Sequence, residues 1–322
     1  MRRIVTAAAL AAIALAFPAF GQKDFPNRTV TLTVGFAPGG GTDTAARIVA
    51  RKLTEDLGVS VVVENRAGAG GEIAAQHISQ AAPDGYTIHL SSVGPLTVAP
   101  AMNKKLTYDP KKDIAPITMG VIFPNVFVVQ TSTPWKTLAD FVAAAKKEPG
   151  KITYASSGVG GAGHLSGELF KKEARIDMVH VPYKGGGPAM TDLLGGRVDM
   201  YPAVPSTALP HIKAGKLRAL ATTGLKRSAL LPDVPTVAES GYPGFEAVNW
   251  YAFVAPGKTP ANILDFWNKA LVKVLNDPEV KKLLDQQGLE PAPGTREDLA
   301  RYIDRETEKW GRIVRESHIT SE

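Results

Sequence analysis

The chain has 322 residues, 44% of them hydrophobic and 21% charged, with a formal net charge of +6. That length suffices for two domains with cores of their own. The charge is modest, and no basic stretch is interleaved with aromatics, which argues against a nucleic-acid partner. There is no cysteine, which excludes disulfides, thiol nucleophiles and a lipidated N-terminal Cys, and argues against a structural zinc site.

Arg2 and Arg3 precede an apolar run from Ile4 to Phe17, and Ala19-Phe20-Gly21 places small residues before Gln22. The run is short for a membrane span, which takes about 20 apolar residues. The pattern is that of an export signal over residues 1–21, cleaved near Gly21–Gln22; a retained anchor is the alternative. The mature chain is then expected in an exported, periplasm-like compartment.

Alternation at Val30, Leu32 and Val34 predicts a strand, and the glycines that follow lead to a helix capped by Thr42 or Asp43. Ala45, Val49, Leu53 and Leu57 recur at helical spacing, and Gly58 stops the helix. The β-branched run Val59 to Val63 predicts a buried parallel strand. A helix over Glu72 to Ala82 and a strand over Tyr86 to Leu90 complete a β-α-β-α-β unit, with Ser91 and Ser92 beyond its last strand. The apolar run Ile122 to Gln130 predicts a crossing to a second unit. Thr133-Pro134 then predicts a helix start.

The second unit repeats the plan. Strands are expected over Lys151 to Ser157, Met178 to Tyr183, Arg197 to Val204 and Leu217 to Thr222. Helices are expected after the glycine loop at Gly158, over Ala189 to Leu194, and over Leu209 to Ala214. Val248 to Val254 reads as a return strand to the first unit. Thr259 is expected to cap a helix with Pro260 in its first turn, and a last helix spans Arg296 to Glu316. The expected division is residues 22–123 plus 249–322 for one lobe and 124–248 for the other.

Four apolar strands break into glycine clusters before helices: Phe36 to Asp43, Gly68 to Gly71, Gly158 to Gly163 and Lys184 to Pro188. A helix N-terminus offers unpaired N–H groups and a positive dipole end, and glycine lets an anion approach them. The first loop supplies Phe36, Ala37, Pro38, Gly39, Gly40, Gly41, Thr42 and Asp43. It lacks the Gly-Lys-Ser/Thr of a phosphate-binding P-loop. The third, with Gly158 and Gly160, matches the G-x-G-x-x-G dinucleotide fingerprint. However, no acid ends the next strand to hold a ribose, so an NAD-dependent enzyme is a remote alternative. Ser156 and Ser157 sit at the end of the preceding strand. His164 reads equally as an anion partner or a structural residue. Tyr183 is a candidate for the cleft wall, Lys184 for a carboxylate, and Asp199 for a ligand ammonium. The first and third loops are expected to be opposing jaws, the fourth a wall and the second mainly packing. No catalytic or metal-binding constellation appears, so neither an enzyme activity nor a cofactor is expected.

The ordered set FAPGGGTDTAAR, RAGAGG with PDGYT, SSGVGGAGHLSGELF, VPYKGGGPAMTDLLGGRVDM and LPDVPTVAESGYPGFEAVNWYAFVAPGKTP resembles the Bug (TctC-like) family. These are periplasmic receptors of tripartite tricarboxylate transporters. The resemblance covers essentially the whole mature chain. It implies a two-lobed α/β type II periplasmic-binding fold, each lobe a mainly parallel sheet flanked by helices, with two crossings between the lobes. It implies a small carboxylate as ligand, held directly or through waters between the first loop and Ser156, Ser157, Gly158 and His164. Ser91, Ser92, Tyr183 and Asp199 transfer less firmly. Membrane permease subunits are the implied partners of a monomeric receptor. An exported sensor that presents its ligand to a membrane signalling protein is the alternative.

Overall fold

The computed structural model describes residues 25–102 and 105–316. The export signal read over residues 1–21 lies outside the described residues. The chain begins with β1 (Val30–Val34), α1 (Gly41–Leu57), β2 (Val61–Asn65), α2 (Glu72–Gln80) and β3 (Thr87–Ser92). A helical turn at Gly94–Val98 and the short α3 (Ala99–Met102) lead to β4 (Ile114–Pro124). The second lobe runs β5 (Val126–Gln130), α4 (Leu138–Lys147), β6 (Thr153–Ser156), α5 (Ala162–Ala174), β7 (Val179–Pro182), α6 (Gly186–Leu194), β8 (Met200–Ala203), α7 (Pro205–Lys213) and β9 (Leu217–Thr222). The chain then returns through β10 (Val248–Pro256), α8 (Ala261–Asn276), α9 (Pro278–Asp285), β11 (Glu290–Pro291) and α10 (Arg296–Glu316).

The two sheets have the orders β11-β4-β10-β3-β1-β2 and β7-β6-β8-β5-β9. In the first, β1 runs parallel to β2 and β3, and β10 is inserted antiparallel between β3 and β4. In the second, β6 runs parallel to β7 and β8, while β5 is antiparallel to β8 and β9. Parallel strands joined by helices bring their C-terminal ends, and the loops that leave them, to one edge of each sheet. Apolar residues cover both faces of each sheet. Leu32, Leu53 and Trp267 pack on one side of the first, and Ile78, Trp250 and Trp310 on the other.

The crossings between lobes are tied together. Asn125, between β4 and β5, donates its N–H to Thr223 Oγ1 at 2.8 Å, and Thr223 Oγ1 donates to the Ala247 carbonyl at 2.7 Å. Asn249 Nδ2 donates to Asn125 Oδ1 at 3.0 Å.

Several helix starts differ from the sequence expectation. α1 begins at Gly41 behind Gly40, so Thr42 and Asp43 lie inside its first turn and neither caps it. The next helix of this kind, α4, starts after Thr137 rather than at Thr133-Pro134. Thr137 and Asp140 form a reciprocal capping box, which satisfies two otherwise orphan donors. α8 follows Pro260 with no side-chain cap, and the Thr259 hydroxyl is buried without a partner. β2 is an edge strand, so Val62 is half exposed where full burial is expected. α10 begins at Arg296, where its apolar stripe predicts.

Candidate functional site

The two sheet edges face each other, and the four glycine loops meet across the gap in two pairs. The first loop lies against the fourth. Ala37 donates its N–H to the Lys184 carbonyl at 2.9 Å. A Cβ on Gly187 would stand 2.8 Å from the Pro38 carbonyl oxygen, and one on Gly40 would stand 3.3 Å from the Gly186 nitrogen. The second loop lies against the third. A Cβ on Gly158 would reach 2.9 Å from Gly70 Cα, and one on Gly70 would collide with the Val159 carbonyl. A Cβ on Gly94 would be 2.9 Å from the Gly160 carbonyl oxygen. Only chains without side chains can touch backbone to backbone in this way. The first and third loops, expected as opposing jaws, thus touch the fourth and second loops respectively and not each other, and the second loop, expected to serve mainly packing, is an interlobe contact.

Between the paired loops lies a cavity of about 20 Å³, room for about one water. Phe36, Gly40, Gly41, Thr42, Ser92 and Tyr251 line it from the first lobe, and Ser157, Ala162, Gly186, Tyr201 and Val204 from the second. Tyr251 and Ser92 are direct cross-strand partners of β10 and β3, so the sheet register points both at the cavity. Thr42 sits against the Tyr251 hydroxyl. Tyr201 leans on two helix starts: a Cβ on Gly163 would be 3.6 Å from its ring, and one on Gly186 would be 3.1 Å from its hydroxyl. Burial holds both phenols above their ordinary range, so both remain O–H donors.

Among the described residues, no Asp, Glu, Lys, Arg or His lines this cavity. Its polarity comes from hydroxyls and from helix ends. α1, α5 and α6 begin at its wall, and none has a side-chain cap. By contrast α4 and α9, which begin elsewhere, are capped by Thr137 and Asp277. Each uncapped helix start presents first-turn N–H groups and about half a positive charge. Ser92 Oγ is buried and without a partner. The site is therefore a neutral cradle of donors suited to a small anion.

The expected residues divide clearly. Phe36, Gly40, Gly41, Thr42, Ser92 and Ser157 line the cavity. Ala37, Pro38 and Gly39 belong to the contact with the fourth loop. Asp43 is occupied: it accepts from Gly39 N–H at 3.1 Å, Asn65 Nδ2 at 3.0 Å and Arg47 Nε at 3.0 Å. Ser91 is buried but absent from the cavity wall, because alternation along β3 turns it away from the face that carries Ser92.

The third loop satisfies its own donors. Gly158 N–H goes to Ser156 Oγ at 3.1 Å and Gly160 N–H to His164 Nδ1 at 3.0 Å. Ser156 Oγ also lies 2.7 Å from His180 Nε2, and the two histidine rings stack at 4.1 Å. Burial lowers His164 to about 4, so it is neutral, and its Nδ1 pins the loop by accepting from Gly160. Tyr183 donates to Asp192 at 2.8 Å and, with Lys184, lines a separate outer depression of about 420 Å³ beside Gly70 and Gly158. Asp199 precedes β8, at the far end of the sheet, and its carboxylate accepts from Thr153 N–H and Oγ1, both at 2.8 Å. It therefore has no access to a ligand ammonium.

Tyr201, Tyr251 and Val204 complete the wall without any sequence expectation, while Ala162 and Gly186 belong to the third and fourth glycine loops without having been singled out. The cross-strand position of Tyr251 opposite Ser92 identifies it once the register is known. Volume does not mark the site. A groove of about 680 Å³ between Ile122, Pro124, Leu230 and Gly288 is larger, but no helix start opens into it.

A family model described as tripartite tricarboxylate transporter family receptor matches residues 45–319. The protein BugT of Bordetella pertussis is 38% identical over 298 residues, 91% of this chain and 90% of its own. The solved periplasmic binding protein BugD is 35% identical with a TM-score of 0.89, over 92% of this chain and 99% of that one. An R. palustris protein solved with adipate is also 35% identical with a TM-score of 0.89, over 92% and 99%. The two-lobed α/β fold is thus that of the periplasmic binding proteins, and the chain belongs to the receptor family of the tripartite tricarboxylate transporters.

Proposed function

We propose that this protein is a periplasmic solute receptor that captures a small carboxylate between its lobes and delivers it to membrane permease subunits. The observation that carries the reading is the convergence of three uncapped helix starts on a cavity with no ionised side chain. Such a cradle stabilises a carboxylate through oriented N–H groups and dipoles. The similar R. palustris protein is solved with adipate, which has two carboxylates.

The closed cavity holds about one water, so an acid enters only when the lobes part. Closure then adds the second lobe's donors and excludes solvent, as in hinge-closing receptors. No bond is made or broken in this cycle. Export with loss of residues 1–21, and the permease partnership, rest on the sequence pattern and on family membership. The test is thermal denaturation with a panel of mono-, di- and tricarboxylates. A ligand at a hundred times its Kd stabilises by about 2.7 kcal/mol, so at least one acid should raise Tm by several degrees. No shift with any acid contradicts the reading.

A further inference from the structure

The lobes do not meet through backbone alone. The second lobe has two apolar clusters of its own, one around Phe127 and Phe170 and one around Ala189 and Tyr201, and neither takes in a residue of the first lobe. The clusters of the first lobe do the reverse. Val204, which follows β8, is buried in the layer that holds Val49 and Leu53 of α1. Ala162 and Leu165 of α5 are buried in the opposite layer with Val93, Leu96 and Val98, and Leu165 has no exposed surface at all. The two seats thus lie on opposite faces of the first sheet, and Val204 and Ala162 also form part of the cavity wall.

Both seats are tight. A Cβ on Gly41 would lie 2.5 Å from Val204 Cγ1. One on Gly160, in the loop before α5, would lie 3.4 Å from Met102 Sδ and 3.8 Å from Val98 Cγ1. A Cβ on Gly288 of the first lobe would lie 2.5 Å from the Cβ of Pro205, the residue after Val204. Parting the lobes returns these side chains and their sockets to water, which is unfavourable in proportion to the apolar area exposed. Closing them without a ligand strands no charge, because among the described residues no ionised side chain lines the cavity; burial of an unpaired charge is the large penalty that such a closure would otherwise meet. The exposed interlobe pair of Lys172 and Glu316, at 3.0 Å, adds little.

We propose that Val204 and Leu165, with Ala162, form an apolar latch that holds the lobes closed in most molecules before any ligand is bound. Opening, and not closure, is then the step that gates capture. A ligand meets a receptor whose competent open form is the minor one, and it stabilises a closed form that already predominates. The inference goes beyond the carboxylate reading and holds for a ligand of any class.

The chain has no cysteine, so Ile73→Cys on α2 and Val179→Cys on β7, at positions 51% and 47% exposed, take one spin label on each lobe. The labelled protein is refolded from urea to strip any acid carried through purification, and pulsed dipolar spectroscopy measures the label separation with no ligand present. Most molecules should show the separation of the closed structure. Leu165→Ala and Val204→Ala should each lower the ratio of closed to open molecules at least tenfold, roughly the scale of removing methyl groups from an apolar seat. Circular dichroism verifies folding, and Val204→Ala, the milder truncation, decides the question if Leu165→Ala does not fold. A wild type in which open separations predominate overturns the latch, and so does an unchanged distribution in the folded variants. Neither result bears on the carboxylate reading, because no acid is present.

Discussion

Burial alone would raise the Asp43 carboxyl, but hydrogen bonds from Arg47, Asn65 and the Gly39 N–H overcome this and hold it below the ordinary carboxylate range. Because the folded value is the lower one, the stabilisation is present above the unfolded value of 3.8 and is lost as pH falls through the folded value. Asp43→Asn should cost about 2 kcal/mol at neutral pH, since charge-assisted bonds are lost. It should also weaken acid binding, because the Gly39 turn loses its anchor. Urea unfolding of the two forms at pH near 7 measures the first effect, and equal stability contradicts the assigned role. The buried histidines act in a related direction. Burial lowers His89, His164 and His180 to about 4, about 4 and about 3, against an ordinary 6.5. Below 6.5 the unfolded chain takes up protons that the folded chain refuses, so stability falls as pH drops from 6.5 toward about 4. Unfolding near pH 5 should take up about three protons, read from the slope of unfolding free energy against pH. A flat profile between these values would mean that the rings are not buried and neutral. At this scale the sequence showed which residues stand near the loops. It did not show which were already engaged: Asp43, Ser156, His164 and Asp199 all have partners distant in the chain or hidden in local turns.

Helix starts differ in how their first-turn donors are met. α4 ends its orphan donors internally through Thr137 and Asp140, whereas α1, α5 and α6 leave theirs toward the cavity. Thr137→Ala should therefore lower stability by about 1 kcal/mol and leave acid affinity unchanged. Gly187→Ala should do the opposite. Its position lies in the first turn of α6, where alanine is favoured over glycine by up to about 1 kcal/mol, yet its Cβ would press on the Pro38 carbonyl oxygen of the other lobe at 2.8 Å. Lobe stability is retained while closure is obstructed, so acid affinity should fall at least tenfold. Unfolding curves and calorimetry on the two variants check the contrast; if both move the same quantity, the distinction between capped and open starts fails. Most helices and strands were legible in the sequence because their apolar spacing is local, but α3 and α9 were not read. β4 was not read along its full length and β2 was read as interior, because pairing partners far along the chain decide which strand is central and which is an edge.

The two lobes meet through glycine, and this arrangement explains the spread of four clusters along one chain. The sequence marks each cluster but carries no local signal for which one faces which. That depends on the relative placement of the two sheets through Asn125, Thr223 and Asn249. The shape of the cavity was hidden for the same reason: only the packed sheets bring the Tyr201 and Tyr251 hydroxyls to one place. In the closed form the cavity has room for about one water, so capture and release both require the lobes to part at these crossings. The central claim is that helix starts on both lobes hold a carboxylate between them. Its most direct measurement is a crystal structure of the protein grown with a diacid that stabilises it. The account predicts carboxylate oxygens at about 2.7–3.2 Å from first-turn N–H groups of α1 on one lobe and of α5 or α6 on the other. An acid seated elsewhere, or held on one lobe alone with the lobes closed over it, would contradict the account.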